Sequence, residues 1–231
     1  MKKALPVLPF FLFLCYSILP LFCIIGWICR YSFILNSYPI YSVALAIICL
    51  LAASFLFVFN VTLNKINHVL SALLLPMSFV NGICCLSHSN TKLTVIFTLI
   101  GCCCAIVIYS KFASPRALKI VSGILSALLF LFLLLILIVG ILKSTTVVKS
   151  VPSPQNKYLA EVIDDDQGAL GGNTLVDVKD NSQTIDLLVG KFSKQPTCVY
   201  TGKWGEFTNM QISWESEHVL VIDGKEYHME K

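Results

Sequence analysis

Long apolar runs alternate with short polar segments over the first 142 residues, and the pattern then changes. The longest run, residues 120–142, contains no charged side chain and has Lys119 and Lys143 at its ends. A helix rises about 1.5 Å per residue, so a run of this length crosses the hydrocarbon core of a bilayer. Four earlier runs are similar. The pattern predicts five membrane spans, at about residues 7–29, 41–59, 68–86, 93–109 and 120–142.

The first and the third of these spans have features that the other three lack. The first follows Lys2 and Lys3, as a signal peptide would, but no small-x-small cleavage pattern follows its apolar core. We therefore interpret it as an uncleaved span. The third is the most polar, because it contains Ser71, Pro76, Ser78 and Asn81.

Beyond residue 150 the apolar positions follow a period of two, which is typical of β-strands. Asp223-Gly224 between two alternating segments predicts a two-residue hairpin, because a type I′ turn needs positive φ. Trp214 belongs to another alternating segment, together with Met210 and Ile212. The predicted strands are residues 157–163, 173–179, 185–189, 197–201, 210–214, 218–222 and 225–229.

The predicted fold class is an α-helical polytopic membrane region of about five spans, followed by a small all-β soluble domain. The β domain would be an antiparallel sheet or a sandwich. The predicted divisions are a transmembrane domain at residues 1–143, a linker at 144–153 and the β domain at 154–231.

Composition and charge agree with this division. The chain is 56% hydrophobic and 13% charged, with a mean hydropathy of +0.79. All thirteen Asp and Glu residues follow residue 160, whereas ten of the seventeen Lys and Arg residues lie at or before Lys149. The positive charges are spread over loops that flank the spans, so the sequence does not predict a nucleic-acid interface.

Orientation follows from the Lys and Arg residues of the short loops, which are enriched on the cytoplasmic side. Five spans with a cytoplasmic N-terminus predict a multi-pass cell-membrane protein whose β domain is extracytoplasmic. The positions then inside are Lys2, Lys3, Lys65, Lys111, Arg116 and Lys119, and those outside are Arg30, Lys92, Lys143 and Lys149.

Nine of the ten cysteines lie in or beside the apolar runs, and only Cys198 belongs to the β domain. That domain therefore has no internal disulfide, which excludes a disulfide-stapled secreted module. Three consecutive cysteines at 102–104 would point about 100° apart on a helix, so we interpret them as packing residues rather than ligands.

Asp164, Asp165 and Asp166 are the strongest candidates for metal chemistry, because three carboxylates beside a Gly turn could bind Ca²⁺. An EF-hand loop starting at Asp164 would need Glu at its twelfth position, where Leu175 stands. We therefore interpret residues 164–172 as a solvated loop. His218 and His228 lack zinc spacing and are interpreted as surface histidines. We expect no metal and no cofactor.

The segment Ser153-Pro154-Gln155-Asn156-Lys157-Tyr158, a later Gly168-Ala169 turn and Ile212 to Trp214 before the hairpin form an ordered set. On a tail behind several spans, this set resembles a domain-of-unknown-function family of small bacterial membrane proteins. The family typically has Asp-Gly where this chain has Gln155-Asn156. The resemblance implies a bacterial membrane protein and no assigned activity. The same string is similar to one blade of a β-propeller, but about 80 residues would make only two blades.

The apolar runs contain no Asp or Glu, and the chain has no Ser-His-Asp order, phosphate loop or zinc-protease motif. We expect a non-catalytic membrane protein that uses its β domain to bind or sense an envelope partner. The expected partners are the lipid bilayer and another envelope or membrane protein, and no nucleic acid. The alternatives are a small-solute transporter or channel component, whose polar lining would come from Asn81 and His68, and an immunity or stress membrane protein.

Overall fold

Five α-helices form the membrane region in the computed structural model of the chain, which describes residues 7–59, 62–89 and 91–229. Each is long and apolar enough to cross a membrane. The chain is therefore a multi-pass membrane protein, and the predicted fold class is confirmed. The helices are α1 (Leu8–Cys29), α2 (Tyr38–Val58), α3 (Lys65–Leu86), α4 (Lys92–Phe112) and α5 (Arg116–Leu142).

Polar residues just outside the apolar runs determine where three of the helices begin. The side chains of Ser37, Asn64 and Thr91 each accept a hydrogen bond from the backbone N–H three residues later. Such N-caps satisfy donors that a helix end leaves free. For this reason α2, α3 and α4 begin one to three residues before the apolar runs that predicted them.

The third span, the most polar in sequence, is a full helix and the most buried of the five described helices. Ser71, Ser78 and Asn81 are all buried, and so is Pro76. The polar residues of α3 therefore face other helices rather than lipid, which is the usual place for such groups in a membrane protein.

The chain forms two compact units. The helical unit contains α1 up to Ile25, α2 to α4, and α5 up to Ile138. The β unit contains residues Gly26–Ile34 and the chain from Val139 onward. Each unit has its own apolar core. That of the helical unit includes Leu12, Cys49, Leu56, Leu74, Ile108 and Leu133.

Within the described residues, ten strands make three sheets, whose orders are β2-β3-β4-β7, β1-β6-β5 and β10-β9-β8. The core of the β unit is formed by alternating residues of β3 and β4, such as Ala160, Val162 and Val176, together with Leu220 and Ile222. The strands are β1 (Tyr31–Leu35), β2 (Ser144–Pro152), β3 (Tyr158–Asp166), β4 (Gly172–Asp180), β5 (Thr184–Leu187), β6 (Gly190–Lys194), β7 (Thr197–Lys203), β8 (Ile212–Ser216), β9 (Val219–Ile222) and β10 (Lys225–His228).

The structure corrects the interpretation of residues 144–153 as a linker, because Ser144–Pro152 is strand β2. It pairs antiparallel with β3, from Ser144 opposite Asp166 to Pro152 opposite Leu159. Almost every residue of β2 is exposed, so the strand has no alternation of buried and exposed positions to reveal it. Its β-branched Thr and Val residues nevertheless suit extended backbone.

Three other segments also differ from the sequence prediction. Residues 164–166, predicted to be in a loop, are the end of β3. The predicted strand at 185–189 coincides with β5 over residues 185–187, but Leu188 and Val189 form a hairpin turn that leads into β6 at Gly190. Strand β1 lies between the first two spans, where no strand was predicted, and it joins β6 and β5 in one sheet.

Candidate ligand-binding cleft of the β unit

A cleft of about 510 Å³ lies in the β unit, where the ends of several strands meet. Its lining includes Arg30 before β1, Asp180 at the end of β4, Lys194 at the end of β6 and His228 at the end of β10. Tyr158 contributes an aromatic wall. A concave site of this volume, with a few convergent polar groups, is typical of small-ligand sites.

Backbone pairing brings the two strongest cations to the cleft. Arg30 has a positive φ of 60° and follows α1 directly. Its carbonyl oxygen accepts a hydrogen bond of 3.4 Å from the backbone N–H of Gln195. The end of β6, and with it Lys194, is thereby held beside the residue that leaves α1.

The electrostatics of the cleft favour an anion. Arg30 and Lys194 are basic side chains, whereas Asp180 is the one carboxylate among the described residues that line the cleft. Oδ1 of Asp180 already accepts hydrogen bonds from the backbone N–H and the hydroxyl of Ser182, at 3.0 and 2.6 Å. His228 adds a ring that becomes cationic when protonated, and its Nε2 lies 3.6 Å from Glu226. Carboxylate and phosphate groups are the natural ligands of such a set.

The Ser-Pro segment that carries the family resemblance forms the turn between β2 and β3. Ser153 Oγ accepts a 2.9 Å hydrogen bond from the backbone N–H of Tyr158. Asn156 has a positive φ of 58°, which glycine adopts more readily. Asn is among the few residues other than Gly that adopt this conformation readily. The motif is thus a structural turn.

Glu217, which the sequence analysis did not single out, closes that turn. Its carboxylate accepts hydrogen bonds from Ser153 Oγ at 2.5 Å and from the backbone N–H groups of Gln155 and Lys157 at 2.8 and 3.1 Å. Desolvation raises the pKa of this carboxyl, but the three hydrogen bonds to the charged form outweigh it. The net pKa lies below its ordinary value.

The candidate metal ligands Asp164, Asp165 and Asp166 do not converge. They are consecutive in β3, so the middle side chain points to the opposite face from its neighbours. Oδ1 of Asp164 accepts from Trp204 Nε1 at 3.0 Å, and Oδ1 of Asp166 accepts from the backbone N–H of Gly168 at 2.8 Å. Each outer carboxylate already has a partner within the β unit.

Asp165 forms an ion pair with Lys143, with Nζ and Oδ1 2.8 Å apart. Thr145 and Gln167 also donate hydrogen bonds to its carboxylate, at 3.2 and 3.0 Å. Desolvation raises the pKa of Asp165, but the Lys143 ammonium and these hydrogen bonds outweigh it. The pKa of the Asp165 carboxyl is therefore lowered.

The final hairpin has the geometry of a type I′ turn, because Asp223 and Gly224 have positive φ values of 49° and 81°. Oδ1 of Asp223 accepts a hydrogen bond of 2.8 Å from the backbone N–H of Gln211. Trp214 Nε1 donates to the carbonyl oxygen of Val151 at 2.9 Å. The residues singled out for the hairpin and its neighbouring strand thus connect β8, β9 and β2.

The two histidines near this hairpin have different surroundings. His218 packs edge-on against Tyr158, with ring centroids 5.8 Å apart, whereas the side chain of His228 is 72% exposed and lines the cleft. Within residues 7–59, 62–89 and 91–229, no three His, Cys, Asp or Glu side chains are grouped as metal ligands would be.

The cysteines of the spans occupy different environments. Cys102 is buried and its Sγ lies 3.8 Å from the carbonyl oxygen of Ser78, whereas the adjacent Cys103 is exposed. All ten cysteines are free thiols. Burial of Cys102 agrees with a packing role for that residue, whereas the exposed Cys103 does not pack inside the helical unit.

Two polar side chains of the helical unit, those of Asn81 and His68, contact other groups within that unit. Asn81 Nδ2 donates to the Tyr41 hydroxyl at 2.7 Å and to the Tyr16 carbonyl oxygen at 3.1 Å. His68 Nδ1 lies 2.7 Å from the carbonyl oxygen of Phe112. The cavity beside Asn81 measures about 10 Å³, which is room for one water molecule.

Sequence reasoning missed Arg30, Lys194 and Glu217 as site residues. Arg30 and Lys194 are separated by more than 160 residues, and only the pairing of β1 with β6 brings them together. The sequence offered only the charge of Glu217, close to the final hairpin, as an indication that this residue has a role. No protein-family model matches the chain, and no curated protein or solved structure is significantly similar to it.

Proposed function

We propose that the chain is a non-catalytic membrane protein that displays its β unit outside the cytoplasm and uses it to bind an anionic envelope partner. The observation that carries this proposal is the cleft of about 510 Å³ that contains Arg30, Lys194 and His228. The resemblance of the Ser-Pro segment to a family of small bacterial membrane proteins is part of the same proposal and supplies the bacterial setting.

The extracytoplasmic orientation is supported by the Lys and Arg residues of the short loops. Lys111, Arg116 and Lys119 precede α5 within nine residues and would lie in the cytoplasm. Arg30, between α1 and α2, would lie outside and contribute to the cleft. Lys2 and Lys3, which support the same orientation, lie outside the described residues.

Reporter fusions to the full chain test the orientation. A reporter that is active only outside the cytoplasm should be active after Lys231 and silent near Ser114, which lies between α4 and α5. The reverse pattern would place the β unit in the cytoplasm and overturn the extracytoplasmic part of the proposal.

Titration of the full chain in lipid nanodiscs tests the cleft. The probes are inorganic phosphate, poly(glycerol phosphate) and uncharged dextran, because the first two share the phosphate group and differ in whether it belongs to a polymer. Arg30→Gln and Lys194→Gln should each weaken phosphate-probe binding about tenfold, since each removes a charge-assisted hydrogen bond. Lys225→Gln is the matched control, because Lys225 is exposed in β10 and is not among the lining residues.

The pattern of binding separates the outcomes. Preference for the polymer over free phosphate would support an envelope polymer, and equal affinity per phosphate would support a small anion. Tighter binding of dextran, no binding of either phosphate probe, or equal weakening by the control variant would contradict an anion site in the cleft.

A further inference from the structure

The hairpin of β5 and β6 exposes an unusual number of apolar side chains. Leu188 and Val189 form its two-residue turn, and Ile185 and Leu187 precede them in β5. These side chains are 96%, 50%, 56% and 40% exposed, in that order. An exposed apolar cluster on one hairpin indicates an interaction surface.

The two faces of this hairpin differ in chemistry. Ile185 stands directly opposite Phe192, so both side chains lie on one face. On the other face Thr184 stands opposite Ser193, and Asp186 stands opposite Lys191. The hairpin is therefore amphipathic, with an apolar face and a polar one.

The apolar face is the one that packs on α1. Phe192 lies against Phe33 of β1, with ring centroids 5.0 Å apart. A Cβ placed on Gly26, in the last turn of α1, would lie 3.5 Å from Phe192 Cε1. Ile185, next to Phe192 on the same face, thus continues the apolar surface beyond the end of a membrane-spanning helix.

The apolar face of the β5–β6 hairpin lies close to the end of α1 because β1, its partner in the sheet, follows α1 almost directly. Only Arg30 separates α1, which ends at Cys29, from β1. Near the end of α1, Trp27 and Ile28 are 75% and 67% exposed, as expected for residues that face lipid. We propose that the β5–β6 hairpin lies in the lipid–water interface and inserts Ile185, Leu187, Leu188 and Val189 into the bilayer beside α1.

A second loop of the β unit supports a lipid-facing edge independently. A Cβ placed on Gly168 would lie 2.7 Å from the carbonyl oxygen of Leu142, so the β3–β4 loop passes against the last residue of α5. Leu170 in that loop is 88% exposed. Both exposed apolar loops therefore lie beside the end of a span. Lys191, on the polar face of the β5–β6 hairpin, suits anionic lipid headgroups beside this surface.

Photo-cross-linking of the full chain in nanodiscs of mixed phosphatidylcholine and phosphatidylglycerol tests this placement. p-Benzoylphenylalanine replaces Leu188 in one variant and Val189 in another. The same group at Trp27 is the positive control, and at Glu215, which is exposed in β8, it is the negative control. Mass spectrometry identifies what each position has captured.

Phospholipid adducts should form at Leu188 and Val189 about as often as at Trp27, and roughly tenfold more often than at Glu215, because a side chain in the interface meets lipid and one in water does not. Adducts with a second copy of the chain, or with another segment of the same chain, would overturn the proposal and identify a protein contact instead. Absence of lipid adducts at both hairpin positions, with capture at Trp27, would also overturn it. The result does not depend on ligand binding in the cleft or on which side of the membrane the β unit lies.

Discussion

The hydroxyl of Ser153 donates a hydrogen bond of 2.5 Å to the carboxylate of Glu217, across 64 residues of sequence. The same carboxylate accepts two backbone N–H groups of the turn between β2 and β3. Two segments that are far apart in the chain thus complete one turn, and the charge of Glu217 is what holds them together.

Replacement of Glu217 by Gln should lower the unfolding temperature of the β unit at neutral pH. The amide has nearly the same shape but binds the three donors without a charge. The pKa of Glu217 is lowered in the folded protein, so its contribution is present above the ordinary pKa and is lost as the pH falls through the folded one. The difference between wild type and variant should therefore shrink below about pH 4.

Trp204 and Trp214 of the β unit allow this unfolding to be followed by fluorescence in the full chain. Glu215→Gln is the matched control, because Glu215 is a neighbouring exposed carboxylate in β8. An equal loss of stability in both variants, or a difference that does not change with pH, would contradict the role assigned to Glu217.

Asp165→Asn should destabilise the β unit by about 1 kcal/mol at neutral pH, since it removes a buried carboxylate from Lys143 while solvent screens the half-exposed ammonium. The pKa of Asp165 is also lowered on folding, so this loss should disappear as the pH falls through the folded pKa. Denaturant titration of the full chain measures it. Asp186→Asn, an exposed change in β5, should leave the unfolding free energy unchanged.

Millimolar Ca²⁺ should leave the unfolding temperature of the β unit unchanged. Asp164 and Asp166 point away from Asp165, and all three carboxylates accept hydrogen bonds from the protein. A cation would have to displace these partners and rotate the strand. Mg²⁺ at the same concentration controls for ionic strength. A saturable increase with Ca²⁺ alone, absent in Asp164→Asn, would show that the carboxylates do form a site.

Gly224→Val should destabilise the final hairpin by on the order of 1–3 kcal/mol, because a β-branched residue is strongly disfavoured at positive φ. A Cβ at Gly224 would meet no atom within 4 Å, so the cost is one of backbone conformation rather than of contact. Gly224→Asn is the control and should cost less, since Asn tolerates the left-handed region. Equal unfolding temperatures for the Val and Asn variants would exclude the conformational explanation.

The sequence predicted the five spans because each is a long apolar run, and a bilayer requires such runs. Their ends differed because Ser37, Asn64 and Thr91 cap the helices outside the apolar runs. A polar capping residue sets the first residue of a helix, whereas hydropathy predicts only the part of the helix that lies in the apolar run.

Strands β1, β2 and β6 were not predicted, and each for a physical reason. β2 is exposed on both faces, and β1 has only five residues between two spans. β6 follows β5 after two apolar residues, Leu188 and Val189, which do not resemble a turn in composition. We interpret their apolar character as a requirement of the lipid interface rather than of the hairpin.

The cleft could not have been predicted, because it depends on long-range pairing. Arg30 belongs to the connection between α1 and α2. In the sequence it is one of the loop charges from which the orientation of the spans is predicted. It reaches Lys194 only because its carbonyl oxygen accepts the N–H of Gln195. A pattern along the chain contains no signal for that contact.

Asn81→Leu should destabilise the helical unit, although it makes α3 more apolar. Asn81 is 3% exposed and donates to the Tyr41 hydroxyl and the Tyr16 carbonyl oxygen, so Leu would remove both bonds from the interior. Hydrogen bonds between membrane helices contribute about 0.6 kcal/mol each on average. We therefore expect a loss of about 1 kcal/mol in unfolding by sodium dodecyl sulfate from bicelles. Ser54→Leu is the control, because Ser54 is exposed in α2. A more stable Asn81→Leu variant would show that the polar cluster serves something other than packing, and would favour the transporter alternative.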